Sequence, residues 1–214
     1  MTKTTGDLHQ MHRMSLWNPY FQMETVREKG PLIFERAEGV HVYDETGKEY
    51  LDAHASLWLV NVGYGRQEIV EAAYAQMKVM PFFSMFLGFS NRPAIELGER
   101  LRELTRPEGM GKVFYSDSGS EAVETALKMV RQYWKNLGKD RKYKVISRRN
   151  AYHGVTMGAL SASGITANRQ KFEPLLPGFI HIPEPNCYRH GFGDGLSDEE
   201  VSEAAADALR KAIE

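Results

Sequence analysis

Residues 113–122, VFYSDSGSEA, constrain the fold of this chain more than any other stretch. Val113, Phe114 and Tyr115 read as a short buried strand. A tight polar turn follows, and then a long helix begins. Ser118 is a favourable N-cap, and Glu121 three residues later completes the pattern of a capping box. Ala122, Ala126, Met129, Val130, Tyr133, Trp134 and Leu137 recur at three- and four-residue spacing and mark the apolar face of that helix. A strand that ends in small residues at a helix N-terminus presents free N–H groups and the positive end of the helix dipole, an arrangement suited to a phosphate. Gly119 lets the backbone come close, and Ser118 and Ser120 add hydroxyl donors. An ordinary capped helix with no ligand also accounts for these residues and is the commoner case.

A second stretch adds weight to the phosphate. Residues 144–147, KVIS, read as another strand, entered about six residues after the helix pattern ends, a usual αβ connection. Strand, helix and strand at this spacing form a βαβ unit with parallel strands. The turns after the two strands then share the carboxyl edge of the sheet, where open α/β sheets bind ligands. The second turn, residues 148–154 (RRNAYHG), brings an aromatic ring beside the first. A phosphate cradle next to a ring suits a flat, phosphorylated aromatic cofactor.

The two turns, SDSGSEA over residues 116–122 and YHG over residues 152–154, resemble those of the class III (omega) aminotransferases. The resemblance extends over nearly the whole chain, from LWNP at residues 16–19 through Leu57-Trp58 to NVGYGR at residues 61–66. It implies an α/β fold of type I, like aspartate aminotransferase: a three-layer αβα large domain with an N-terminal antiparallel β meander. It implies pyridoxal 5'-phosphate as cofactor, with Gly119 and Ser120 holding the phosphate beside Ser118, and Tyr152 stacking on the pyridine ring next to His153. Trp58 would line the substrate pocket, with Phe21 and Phe83 as further candidates and Tyr20, Met85 and Phe86 as weaker ones. Many relatives carry asparagine where this chain has Asp117. Relatives in the biotin pathway share the aspartate, so this position blurs the subfamily rather than the family.

Composition sets outer bounds. The chain has 214 residues, 42% hydrophobic and 26% charged, with a net charge of −1. That balance gives no global electrostatic case for nucleic acid or an anionic membrane. Cys187 is the only cysteine. It rules out an internal disulfide and fits a reducing compartment, which with the absence of a leader pattern suggests the cytoplasm. Cys187, His181 and His190 match no zinc spacing, so no metal is expected.

Along the chain, residues 1–13 are polar and read as loose. Residues 32–34, 40–43 and 49–52 read as the strands of a meander. Residues 67–79 form a helix, and a second helix follows with Ser90 or Asn91 as its cap and Pro93 in the first turn. Residues 80–89 are rich in aromatics and methionines without a clean period, which suits either core or a contact surface and is typical of an interface centre; the resemblance places it between the subunits of a homodimer or a dimer of dimers. Residues 156–163 are small and suit a helix packed closely on a sheet, residues 168–177 a loop, residues 179–182 a strand, and Ser197 opens a last helix with another capping box. This divides the chain into residues 1–55, belonging to a small domain, and residues 56–214, the first half of a large cofactor-binding domain.

The chemistry expected of the family is incomplete here. Transamination needs a lysine amine to bond the cofactor and move protons, and an acid to pair the pyridine nitrogen. The resemblance places both beyond residue 214, so no catalytic residue is assigned. Lys128 lies ten residues along the helix from Ser118, about 15 Å away at 1.5 Å per residue. The expected whole moves an amino group from an omega-amino acid or amine to a keto acid such as pyruvate. The alternatives are the diamine-forming transaminase of the biotin pathway, an aminomutase of the same fold, or an inactive half-domain or interaction module.

Overall fold

A computed structural model describes residues 4–214, which group into two compact units divided between Ala94 and Ile95.

The first unit opens with α1 (Thr5–Ser15), where a loose segment was expected. A capping box explains it: Asp7 N–H donates to Thr4 Oγ1 at 3.3 Å, and Thr4 N–H donates to Asp7 Oδ2 at 3.0 Å. Residues 1–3 of that expectation lie outside the described residues. α2 (Met23–Lys29) buries Val26. Three strands, β1 (Phe34–Glu38), β2 (His41–Asp44) and β3 (Glu49–Leu51), form an antiparallel meander in the order β1-β2-β3. The first strand thus starts at Phe34 rather than covering residues 32–34, because its register is set by pairing with β2 through Glu38 opposite His41.

Asp44 fixes the turn between β2 and β3. Its buried carboxylate accepts from Thr46 Oγ1 (2.6 Å), Thr46 N–H (2.9 Å), Lys48 N–H (3.0 Å) and Tyr50 Oη (2.9 Å). Past β3 the chain makes one helical turn, α3 (Ala55–Trp58), that winds left-handed, with φ between 47° and 68° at Ala55, Ser56, Leu57 and Trp58. Asp52 holds it: Oδ2 accepts from Ser56 N–H at 2.8 Å and from Tyr64 Oη at 2.7 Å, and Oδ1 from His54 N–H at 3.2 Å. The Tyr64 hydroxyl, followed by these N–H groups, holds the Asp52 carboxyl below the ordinary carboxylate range. α4 (Gln67–Val79) follows. α5 (Arg92–Leu104) starts where Asn91 Oδ1 accepts from Ala94 N–H at 3.0 Å, and from Ile95 onward it belongs to the second unit.

The second unit is built around a small buried helix. Its elements are α6 (Gly119–Asn136), β4 (Val145–Arg148), α7 (Met157–Ala162), α8 (Thr166–Arg169), β5 (Phe179–Ile182) and α9 (Asp198–Ile213). β4 and β5 pair in parallel, Val145 opposite Phe179 through Arg148 opposite Ile182. α7 is buried from Gly158 to Ala162 and packs on α6, β4, β5 and α8. Its glycine, alanines and serine allow this close approach on several sides. Gly164, just past it, has room only for hydrogen: a methyl group there would lie 2.7 Å from Arg149 Cα. The α9 capping box is complete, Glu200 N–H donating to Ser197 Oγ at 3.3 Å and Ser197 N–H to Glu200 Oε2 at 2.8 Å.

One expected strand is absent. Residues 113–115 have no regular secondary structure and join no ladder among the described residues, so the parallel pair is β4 with β5 and not residues 113–115 with β4. Apolar character makes a segment able to be a strand; a hydrogen-bonded neighbour makes it one. Residues 168–170 of the expected loop are also taken up by the end of α8 and its cap.

The meander yields a pH prediction. Hydrogen bonds, that from the Thr46 hydroxyl first, push the Asp44 carboxyl down to about 2 from an ordinary value of 3.8. The folded value lies below the unfolded one. The contribution of Asp44 to stability is therefore complete above the unfolded value and lost as pH falls from about 4 to about 2. A carboxyl carbon titration by NMR is expected to place the Asp44 midpoint near 2; a midpoint near 4 would remove the turn's electrostatic anchor.

Candidate cofactor site

α6 begins at Gly119, where the chain turns into the helix from an extended Ser118 N-cap (φ −152°, ψ 160°). Ser118 Oγ accepts from Glu121 N–H at 3.2 Å. The Glu121 carboxylate reaches back past Ser118 and accepts from Asp117 N–H at 2.9 Å. The box is therefore opened by one residue from the pattern expected. Gly119 and Ser120 keep N–H groups with no hydrogen-bond partner among the described residues. A methyl group at Gly119 would meet nothing within 4 Å. Its φ is not positive, so Gly119 serves as open space in front of two donors and not as a conformational hinge.

The second turn lies against this helix start. Ser120 Oγ accepts from Val155 N–H at 3.0 Å, across 35 positions of sequence. That leaves the Ser120 proton free to donate elsewhere. Gly154 is buried at φ +131°, and a methyl group there would lie 2.6 Å from Ser120 Oγ and 2.7 Å from Ala159 Cβ. His153 N–H donates to Ser163 Oγ at 2.9 Å, while Gly164 N–H donates to the Ala151 carbonyl at 2.8 Å. Tyr152 is left with its ring exposed, between two fastened neighbours.

The structure thus sets Ser120 against the backbone of Gly154 and Val155, the residues that follow Tyr152 and His153, with all the cofactor-site candidates in the second unit. Trp58, Phe21 and Phe83 belong to the first unit, where each ring is exposed. Trp58 stands on the left-handed turn, its ring edge-on to His54 with centroids 5.3 Å apart. Phe83 packs edge-to-face on Phe89 at 5.8 Å. Tyr20, Met85 and Phe86 are exposed as well. His181 faces Arg169, whose Nη1 lies 2.7 Å from its Nε2. Burial, then the Arg169 charge, push its pKa down. Among the described residues no three metal-ligating side chains converge.

Sequence reasoning passed over Glu124. Its Oε1 accepts from Gly158 N–H at 2.8 Å and from Ala159 N–H at 3.3 Å, at the start of α7. The Thr156 hydroxyl beside it, and then these two N–H groups, hold the Glu124 carboxyl below the ordinary range. The Thr156 contact is a loose one, since that hydroxyl has no partner in strict hydrogen-bond geometry. A readable signal existed: Glu124 is four residues after Ser120 and shares its helix face.

Two unpaired N–H groups, an open glycine and a free hydroxyl proton are the donors and the space that a phosphate at a helix N-terminus would use. Comparison with known proteins decides the family. The profile described as Aminotransferase class-III matches residues 23–214. The chain belongs to the class-III aminotransferases. This aminotransferase chain is 42% identical over 195 residues to the putrescine–pyruvate aminotransferase of Pseudomonas aeruginosa, covering 91% of itself and 42% of that protein. It is also 42% identical over 194 residues to the adenosylmethionine-8-amino-7-oxononanoate aminotransferase of Anoxybacillus flavithermus, covering 91% of itself and 42% of that protein. Among solved structures, the omega transaminase of Pseudomonas jessenii in complex with PMP superposes with a TM-score of 0.93 at 41% identity, covering 96% of this chain and 45% of that one. The neighbours make the fold that of the class-III transaminases. The chain spans less than half the length of these relatives.

The packing predicts opposite fates for two glycines of this aminotransferase. Gly119→Ala is expected to leave the thermal stability of the ligand-free protein within ~0.5 kcal/mol of wild type, because the new methyl meets open space. Gly154→Ala is expected to cost ~1–3 kcal/mol through overpacking and a strained φ. Equal melting behaviour of the two variants would contradict the described contact between the turns.

Proposed function

We propose that this chain forms the cofactor-holding part of a pyridoxal-phosphate aminotransferase. The observation that carries the reading is the Ser120–Val155 hydrogen bond, which joins an open, donor-rich helix start to the turn bearing Tyr152. In this reading the N–H groups of Gly119 and Ser120 and the Ser120 hydroxyl hold the phosphate. The α6 dipole adds its positive end. Ser118 secures the helix start, Tyr152 stacks on the ring, and His153, fixed through its N–H, flanks it. Bound pyridoxal phosphate supplies a reactive carbonyl and an electron sink for the amino group in transit. The residues here bind and orient that group; the amine that would bond it is not assigned to any of them. The complex of the Pseudomonas jessenii transaminase with PMP supports this choice of cofactor.

The substrates proposed are an omega-amino acid or a diamine as donor and a keto acid such as pyruvate as acceptor. The likeness to a putrescine–pyruvate aminotransferase supports them. A diamine-forming reaction of the biotin pathway is the second reading, favoured by equal identity to an adenosylmethionine-8-amino-7-oxononanoate aminotransferase. Trp58, Phe21 and Phe83 are proposed to line the substrate pocket. The exposed apolar side chains of Phe82, Phe86 and Leu87 favour an interface between two copies, hence a homodimer or dimer of dimers. Residues 1–55 are assigned to the small domain and residues 56–214 to the large one, in a cytoplasmic enzyme; no helix among the described residues is long and apolar enough to cross a membrane.

Titration of pyridoxal phosphate into the intact enzyme and its variants tests the phosphate assignment. Ser120→Ala removes one donor to a charged group, worth roughly 1.5–3 kcal/mol, so affinity should fall on the order of tenfold to a hundredfold. Gly119→Val should do worse by filling the space before the donors. Ser118→Ala should chiefly cost about 1 kcal/mol of stability. Wild-type affinity in both Gly119→Val and Ser120→Ala would leave α6 as a capped helix with no phosphate.

A further inference from the structure

Glu124 holds no place in the proposed cofactor site, yet it ties α6 to α7, the helix that follows the Tyr152 turn. We propose that Glu124 is a positioning residue for the cofactor ring: its carboxylate ties the start of α7 to α6 and thereby fixes the turn that carries Tyr152 relative to the phosphate-holding end of α6. The proposal rests on the reading of these two turns as the pyridoxal-phosphate site.

Geometry makes the tie a direct one. Oε1 accepts from the N–H groups of Gly158 and Ala159, the second and third residues of α7. Gly158 has given up its side chain to allow this, since a methyl group there would lie 2.8 Å from Glu124 Cδ. Ser120 and Glu124 stand one turn apart on α6, so the two braces act from one helix face. Ser120 grips Val155 and Glu124 grips residues 158 and 159, while Ser163 at the far end of α7 grips the N–H of His153. The four residues between Tyr152 and α7 are thus held at both ends. α7 itself is buried and packed on β4 and β5, so it has little freedom to follow a displaced turn. A carboxylate that accepts two backbone N–H groups makes charge-assisted bonds, stronger than neutral ones. Removing it leaves those two donors without a partner beside a buried helix and lets the Tyr152 turn drift.

A double-mutant cycle on the intact enzyme tests this. The variants are Glu124→Ala, Glu124→Gln, Tyr152→Ala and the double variant Glu124→Ala/Tyr152→Ala. Pyridoxal phosphate affinity of the ligand-free proteins is measured, together with the circular dichroism of the bound cofactor, which reports ring orientation. Glu124→Ala is expected to weaken binding about tenfold and to reduce the cofactor dichroism. Glu124→Gln keeps the volume and one acceptor, so its loss is expected to be smaller; it decides the matter if Glu124→Ala fails to fold. In the Tyr152→Ala background, Glu124→Ala is expected to cost no more than about twofold, because a residue acting through the Tyr152 turn has nothing left to position. Unchanged affinity and dichroism in Glu124→Ala and Glu124→Gln would overturn the proposal, as would an equal loss in both backgrounds. Wild-type affinity in Tyr152→Ala would instead overturn the ring-stacking reading, and the proposal with it.

Discussion

The candidate site turns on a hydrogen bond from Val155 N–H to Ser120 Oγ. Without it, the first turn of α6 is an exposed helix end and the turn after β4 is a surface loop. With it, two segments remote in sequence share a surface that combines unpaired N–H groups and an exposed aromatic ring. The contact is possible because Gly154 lacks a side chain where any other residue would strike Ser120 and Ala159. It is fixed because α7, with its small buried residues, anchors the loop from below. Sequence supplies the glycine and serines; packing converts them into a site.

The first unit shows a different economy. Four consecutive non-glycine residues in left-handed conformation cost roughly 1–2 kcal/mol each relative to right-handed helix. Asp52 offsets part of this with three hydrogen bonds, one of them from the Tyr64 hydroxyl. The result is a tight turn that carries the exposed Trp58. Backbone strain held by a dedicated carboxylate is a recurrent property of functional sites.

Much of this was legible in the sequence because it is local. The apolar spacing in residues 67–79 gives α4 to the residue, and residues 179–182 give β5. The Ser197 box and the Asn91 cap are read from a few neighbouring letters. The two turns of the candidate site are legible as motifs; they meet through the Ser120–Val155 bond and not through the expected pairing of residues 113–115 with β4. What stayed hidden is non-local or masked by composition. Residues 113–115 have the side chains of a strand but no ladder partner among the described residues. α1 looks loose because it is polar, although Thr4 and Asp7 carry a capping signal. No glycine announces the left-handed turn at residues 55–58. Glu124 reads as a routine solvated helix residue until Gly158 and Ala159 are seen to lie against it.

The central claim is that the start of α6 and the turn after β4 together form the pyridoxal-phosphate site. It is tested most directly by an experimental structure of the intact enzyme with pyridoxal phosphate bound. The account predicts phosphate oxygens within about 3 Å of the N–H groups of Gly119 and Ser120, with the pyridine ring against Tyr152. A cofactor whose phosphate lies away from the start of α6, or whose ring makes no contact with Tyr152, would contradict it.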